Sequence, residues 1–212
     1  MEEYHHRNLP HIQPLGGTFF VTYVLNGSMP NEKIAEWKTE YDIQKAIILE
    51  NSINVNDDLS KLWKLDFAKK DKFFDTYTGG NHYLKSDILA KIVADTLHYW
   101  DNKRLELYSY TIMSNHVHAV FRLYDKYELE KPFYLEQIMH SIELYSASQC
   151  NKLLGLEGKF WQDESYDRFV RNNEELKRII RYVVYNSVKA GLCEKPSDWK
   201  WTYIKPEYND IM

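Results

Sequence analysis

Hydrophobic and polar positions along the chain fall into runs of two different periods. After Gly16-Gly17, the residues Thr18-Phe19-Phe20-Val21-Thr22-Tyr23-Val24-Leu25 form a β-branched and aromatic run that stops at Asn26-Gly27-Ser28. A run of this kind between turn residues predicts a buried strand. The arms 104–113 and 116–124, joined by Ser114-Asn115, predict a β-hairpin. Helical spacing of Ile88, Leu89, Ile92, Val93, Thr96 and Leu97 predicts a helix over 86–100, with Ser86 as its N-cap. A longer helix is predicted over 134–154, carrying Leu135, Ile138, Met139, Ile142 and Tyr145 on one side. A last helix is predicted over 173–190, from Asn173 as N-cap to Gly191 as the stop. Residues 159–162 read as a short extended segment, either a final strand or a loop.

Two further helices are expected over 31–48 and 58–72, separated by a polar stretch. Residues 30–78 therefore read as a helical insertion within a single domain spanning 1–212. The first ten residues, with His5, His6 and Arg7, read as a loose arm. On a strand, adjacent His side chains would point to opposite faces, so this pair does not read as a metal site. The order strand, helix, hairpin, helix, short strand, helix predicts an α+β fold, with helices packed on one face of an antiparallel sheet.

Composition narrows the class. Of 212 residues, 44% are apolar and 27% charged, which fits a globular protein and excludes wholesale disorder. Aromatic residues reach 15%, with 17 Tyr. The net charge of −4 means that any nucleic-acid surface must be a local basic patch. No apolar run approaches membrane-spanning length, and residues 1–20 lack a signal-peptide core, so no membrane partner is expected. Cys150 and Cys193 match no metal spacing and read as reduced thiols of a cytoplasmic protein.

Two segments carry candidate chemistry. In His116-Val117-His118, strand alternation puts both imidazoles on one face, while Val117, Ala119, Phe121 and Leu123 line the other. The pair could ligate one divalent cation, or it could be two sheet-face histidines satisfied by water and neighbours. On the last helix, Tyr182 and Asn186 are four residues apart at the edge of the stripe formed by Leu176, Ile180, Val183 and Ser187. Arg178 and Lys189 border the same edge. From Arg168 to Lys189 there are six Lys/Arg (Arg168, Arg171, Lys177, Arg178, Arg181, Lys189) against two Glu, a local charge of +4. An amide oxygen that can ligate a hard metal, a phenol and flanking cations suit phosphate chemistry; a solvated basic face with a boundary tyrosine accounts for the same residues.

Three motifs in order resemble a known family. Ser114-Asn115-His116-Val117-His118, then Phe160-Trp161-Gln162, then Tyr182-Val183-Val184-Tyr185-Asn186-Ser187-Val188-Lys189-Ala190-Gly191-Leu192 resemble the signature of single-tyrosine HUH transposases, in particular the REP-associated tyrosine transposases. Pro196-Ser197-Asp198-Trp199-Lys200-Trp201 resembles the tail that follows. Ser114 and Ser187 each stand where the family usually has Pro, and loss of the second would let the last helix run on.

The resemblance implies a ferredoxin-like, RRM-like sheet with the tyrosine on a C-terminal helix. It implies metal-dependent nicking and strand transfer of single-stranded DNA through a 5′-phosphotyrosine, at repetitive palindromic elements. Carried over by position, His116, His118 and Asn186 hold a divalent cation (Mg²⁺ or Mn²⁺) and Tyr182 is the nucleophile. Arg168, Arg171, Lys177, Arg178, Arg181 and Lys189 are the candidates for contacts to single-stranded or hairpin DNA. The resemblance favours a monomer, with a dimer as the alternative, in a bacterial, nucleoid-associated setting. The competing reading is a domesticated transposase that binds single-stranded nucleic acid without cutting it.

Overall fold

The computed structural model describes residues 4–6, 10–12, 14–163 and 165–212. The chain divides into two compact units, Asn26–Asn81 and the remainder.

The larger unit is built on a sheet. Its elements are β1 (Tyr4–His6), β2 (Pro10–Ile12), β3 (Thr18–Val24), α3 (Asp87–Trp100), β4 (Leu105–Ile112) and β5 (His116–Leu123). They continue through α4 (Leu135–Leu154), β6 (Tyr166–Phe169), α5 (Asn173–Val184), α6 (Asn186–Lys189) and β7 (Thr202–Ile204). The first two strands pair with each other, Tyr4 opposite Ile12, where a loose arm was expected. The side chains of His5 and His6 lie outside the described residues. The main sheet is antiparallel throughout, in the order β6-β3-β5-β4-β7.

In the sequence β3-α3-β4-β5-α4-β6, each helix links two strands that run parallel with one strand between them. This is the split βαβ arrangement of the ferredoxin-like fold. Both helices pack on one face, where Phe19, Val21, Tyr23, Val117, Ala119, Phe121 and Leu123 join Leu89, Val93, Leu97, Ile138 and Ile142 in one buried core. The alternation read from the hairpin is thus the observed one, and the expected α+β class is borne out.

Strands β6 and β7 carry little hydrophobic signal, being four and three residues long, and they close the two edges of the sheet. Residues 159–162 form no strand, but Trp161 bridges to Leu25 and the Gln162 N–H donates to the Val24 carbonyl at 2.9 Å. Trp161 Nε1 donates to Ser146 Oγ at 2.9 Å and its ring meets Tyr23 edge-on at 4.7 Å, so the aromatic part of this motif ties α4 to β3. The later tryptophans do similar work: Trp199 Nε1 donates to the Ile112 carbonyl and Trp201 Nε1 to Asp87.

The smaller unit is a helical hairpin, α1 (Asn31–Asn51) and α2 (Val55–Thr76). Trp37 meets Phe73 edge-on at 5.3 Å, and Lys69 lies over the Trp37 ring while pairing with Glu40. Its two ends are zipped together. Asn81 donates its N–H to the Gly27 carbonyl and its side-chain amide to the Asn26 carbonyl, while Gly80, at φ +76°, packs against Gly27 where a Cβ would clash. The unit leaves and rejoins the chain at one point.

Candidate functional site

Helix α5 lies on the face of the sheet opposite α3 and α4. It follows the last strand of the split βαβ pattern and so is not required to cross over on the core side. Its N-cap is one residue earlier than the expected Asn173: the Asn172 side chain caps it by accepting from the Glu175 N–H at 2.9 Å. Its end is pinned to the sheet centre, where Thr111 Oγ1 donates to the Val183 carbonyl at 2.8 Å. Thr111 is the cross-strand neighbour of His118. The residue before Val183 therefore falls beside the histidines: the Tyr182 ring lies 5.7 Å from the His118 ring and 5.9 Å from Phe20.

The helix does not run on to residue 190. At Tyr185 the backbone leaves the helical conformation (φ −86°, ψ 0°) despite Ser187 replacing proline, and a separate single turn, α6, follows. The Val183 carbonyl, held by Thr111, is turned toward the sheet at this point. Gly191, at φ +71°, ends the segment as expected. The short turn returns Lys189 to the site, its Nζ 5.5 Å from the centre of the Tyr182 ring.

His116 and His118 are fully buried. Their Nε2 atoms approach to 3.1 Å, and each Nδ1 has its own partner: Asn115 Oδ1 at 2.7 Å for His116 and Thr22 Oγ1 at 2.7 Å for His118. An amide oxygen only accepts, so Asn115 takes the Nδ1–H of His116 and leaves its Nε2 with a lone pair. The Thr22 hydroxyl can do the same for His118. Partners of this kind orient metal-binding imidazoles and set their tautomers. Asn186 is also fully buried, and neither its amide oxygen nor its nitrogen has a hydrogen-bond partner among the described residues. Burying such a group without a partner costs about 1–3 kcal/mol. The two converging imidazole nitrogens fit the expected metal, and a buried amide oxygen with no hydrogen-bond partner is a ligand of the kind a hard cation takes.

The six predicted DNA contacts divide. Arg171, Lys177, Arg178, Arg181 and Lys189 are exposed. Arg168 differs: it sits on β6 with most of its side chain covered, and its guanidinium pairs with the buried Glu175. That carboxylate also accepts from the Arg171 N–H at 2.9 Å, so Arg168 braces the start of α5 instead of facing solvent. Burial lowers the Arg168 pKa, and the nearby Glu175 only partly offsets it. Arg181 stacks over Tyr185 at 5.2 Å, on the far side of the helix from the histidines.

Sequence alone assigns no role to Thr22, Thr111 or the Asn115 side chain. A signal is present for Thr22, a polar residue that strand alternation puts on the face opposite Phe19, Val21 and Tyr23. For Thr111 and Asn115 the signal requires knowledge of strand register. Both cysteines are free thiols, Cys150 in the core and Cys193 donating to Ser187 Oγ at 3.3 Å. No helix among the described residues is long and apolar enough to cross a membrane.

Residues 81–186, half of the chain, match the family described as "Transposase IS200 like". No curated protein matches. Among solved structures, one of a REP-associated tyrosine transposase bound to a REP hairpin is similar in fold, with 16% identity and a TM-score of 0.50 over 95% of this chain and 82% of that one. The family match begins where the helical hairpin ends and takes in both histidines, Tyr182 and Asn186. The chain belongs to the family of IS200-like transposases.

Proposed function

We propose that this transposase nicks and rejoins single-stranded DNA at repetitive palindromic elements through a 5′-phosphotyrosine on Tyr182. His116, His118 and Asn186 would hold Mg²⁺ or Mn²⁺. The observation that carries the proposal is the placement of the Tyr182 ring 5.7 Å from one of two imidazoles whose Nε2 atoms converge, on a sheet face that a purely structural protein would fill with hydrocarbon.

The bound cation would polarise the phosphoryl oxygen and offset the charge that builds on it. The chain's own residues account for the rest. Tyr182 loses its proton and its oxygen attacks the phosphorus. The bond to the 3′ oxygen breaks, and the departing 3′ oxygen takes up a proton. Lys189, against the ring, is placed to favour the negative charge on the phenol as the proton leaves. Because the ester is retained on Tyr182, attack by a second 3′-hydroxyl reverses the step and joins a new strand without any external energy source. Arg171, Lys177, Arg178 and Arg181 would hold phosphates along the exposed side of α5.

The site favours a monomer, since Tyr182 and both histidines come together within one chain. The unit Asn26–Asn81 we assign as an insertion into a single transposase domain, which its zipped ends and the start of the family match at residue 81 support.

Incubation with labelled single-stranded hairpin DNA and Mn²⁺, followed by a denaturing gel, tests the reading. The wild type should give a covalent adduct and a free 3′ end; Tyr182→Phe should lose the adduct by at least about a thousandfold. Adduct formation by Tyr182→Phe would remove Tyr182 as nucleophile, and DNA binding without cleavage by the wild type would favour the non-catalytic binder.

A further inference from the structure

Near the end of β5 remote from the histidines, an open recess of about 690 Å³ is lined by Tyr99, Trp100, Lys103, Arg104, Leu129, Glu130 and Lys131. His118 and Leu123 are five residues apart on β5, so the recess is roughly 17 Å or more from the candidate active site. None of the residues assigned above to DNA or metal belongs to it.

Its construction is specific. Helix α3 ends at Trp100, and the chain reverses through Asn102, the one described non-glycine residue at positive φ (+59°). Asparagine tolerates this conformation better than most residues. The reversal is closed by the Asn102 N–H on the Leu105 carbonyl and by the Lys103 and Arg104 N–H groups on the Trp100 carbonyl. Lys103 is thereby folded back over the Tyr99 ring, 3.5 Å from its centre. Arg104 lies over Phe133 at 4.5 Å and donates to the Lys131 carbonyl at 2.8 Å.

Two features mark a binding surface. Among the described residues, Lys103, Arg104 and Lys131 form no ion pair with a carboxylate, so their charge is not neutralised within the recess. The recess thus carries three cations against the single carboxylate of Glu130, a concentrated positive charge in a chain of net charge −4. Beside these cations Tyr99 leaves 57% of its surface exposed, with Lys103 over one face of the ring and the remainder open to a partner. Cations spaced around exposed aromatic rings match a strand whose phosphates are anionic and whose bases stack.

We infer that this recess is a second binding site for single-stranded nucleic acid, with Lys103 and Lys131 on phosphates and a base against Tyr99 and Trp100. The choice of ligand rests on the proposed single-strand chemistry; the site itself does not depend on Tyr182. It would hold DNA flanking the cleaved segment and so keep the substrate bound between nicking and joining.

The test uses the full chain and a short labelled oligothymidylate containing 5-iododeoxyuridine. Photocrosslinking should map to the peptide containing Tyr99 and Trp100. The Lys103→Glu/Lys131→Glu variant should bind about tenfold more weakly, and its salt dependence should flatten by about 1.4 in log–log slope, ~0.7 for each phosphate that is no longer neutralised. Tyr99→Ala should weaken binding about tenfold with the slope unchanged. Unaltered affinity and slope in the charge-reversed variant, or equal binding of an abasic strand, would overturn the inference. Polyglutamate binding as well as DNA would also overturn it, in favour of an acidic protein partner. Covalent adduct formation at Tyr182 is scored in parallel. If the wild type gives no adduct while the slope still responds to Lys103 and Lys131, the catalytic reading fails and the second site stands.

Discussion

The two faces of the central sheet are both well buried, but only one sets polar groups among its apolar side chains Phe20, Val24 and Val120. On one, Val21, Val117, Ala119 and Phe121 are inaccessible and packed against hydrocarbon from α3 and α4. On the other, His116, His118, Thr111 and Ser109 are inaccessible too, yet this face meets α5 through a hydroxyl-to-carbonyl bond and the ring of Tyr182. Burial on the first face stabilises the fold by about 25 cal/mol for each Å² of apolar surface. Burial on the second removes polar groups from water and costs free energy wherever they lack partners. The same strands thus serve two uses: the odd-numbered residues of β5 hold the domain together, and the even-numbered ones at its start, under the proposed function, position chemistry at some expense to stability.

The sharpest way to break this comparison is to change one residue on the core face and one residue assigned to the site on the other. Phe121→Ala should destabilise the protein by about 3–5 kcal/mol, from lost transfer energy and the cavity left behind, as read by urea denaturation. Asn186→Leu should move stability the other way. It replaces an amide with no partner by a side chain of similar size, for a gain of about 1 kcal/mol, while abolishing the covalent adduct. Metal sharpens the contrast: Mn²⁺ should raise the melting temperature of the wild type by mass action, and chelation should reverse the rise. Asn186→Leu should blunt that response and Phe121→Ala should retain it. A destabilised Asn186→Leu protein would show that the amide is satisfied in the folded chain and would weaken its assignment as a ligand.

The same contrast explains what the sequence reveals. The core face is legible because periodicity reports hydrocarbon: the strand from Thr18, the hairpin and the helices at 86–100 and 134–154 all emerge close to their observed bounds. The chemical face is legible at His116, His118, Tyr182 and Asn186 because spacing and motif order mark them. Its supporting residues are less so. Thr111 matters through cross-strand pairing with His118, and pairing is not written in local sequence. Strands β6 and β7 escape sequence reading because four and three residues are too few to show a period. The break at Tyr185 escapes it because residues 182–190 contain no glycine or proline to mark a stop; the interruption coincides with a tertiary hydrogen bond from Thr111 to Val183. Arg168 looks like one more cation of a basic face until the fold brings Glu175 to it.

The smallest of these effects lies at the outer end of the histidine face, where polar groups are satisfied and a stabilising contribution is expected from them. Glu106 pairs with Lys205 and with Arg122 Nε at 3.2 Å and accepts from the Tyr108 hydroxyl at 3.2 Å, so that β4, β5 and the residue after β7 share one carboxylate. Burial by itself raises the Glu106 pKa, but the hydrogen bonds from Lys205, Arg122 and Tyr108 and the charge of Lys205 outweigh it and hold the carboxyl below its ordinary value. A carboxyl lowered in the folded state contributes stability that is present above its unfolded pKa, near 4.3, and lost as pH falls through the folded value. Glu106→Gln should therefore cost about 1 kcal/mol at neutral pH, modest because the group is partly solvated. The gap between variant and wild type in urea midpoint should narrow below about pH 5 and close once the folded carboxyl is protonated. A gap that stayed constant with pH would locate the contribution in packing of the side chain and not in its charge, and this corner of the sheet would then resemble the hydrocarbon face after all.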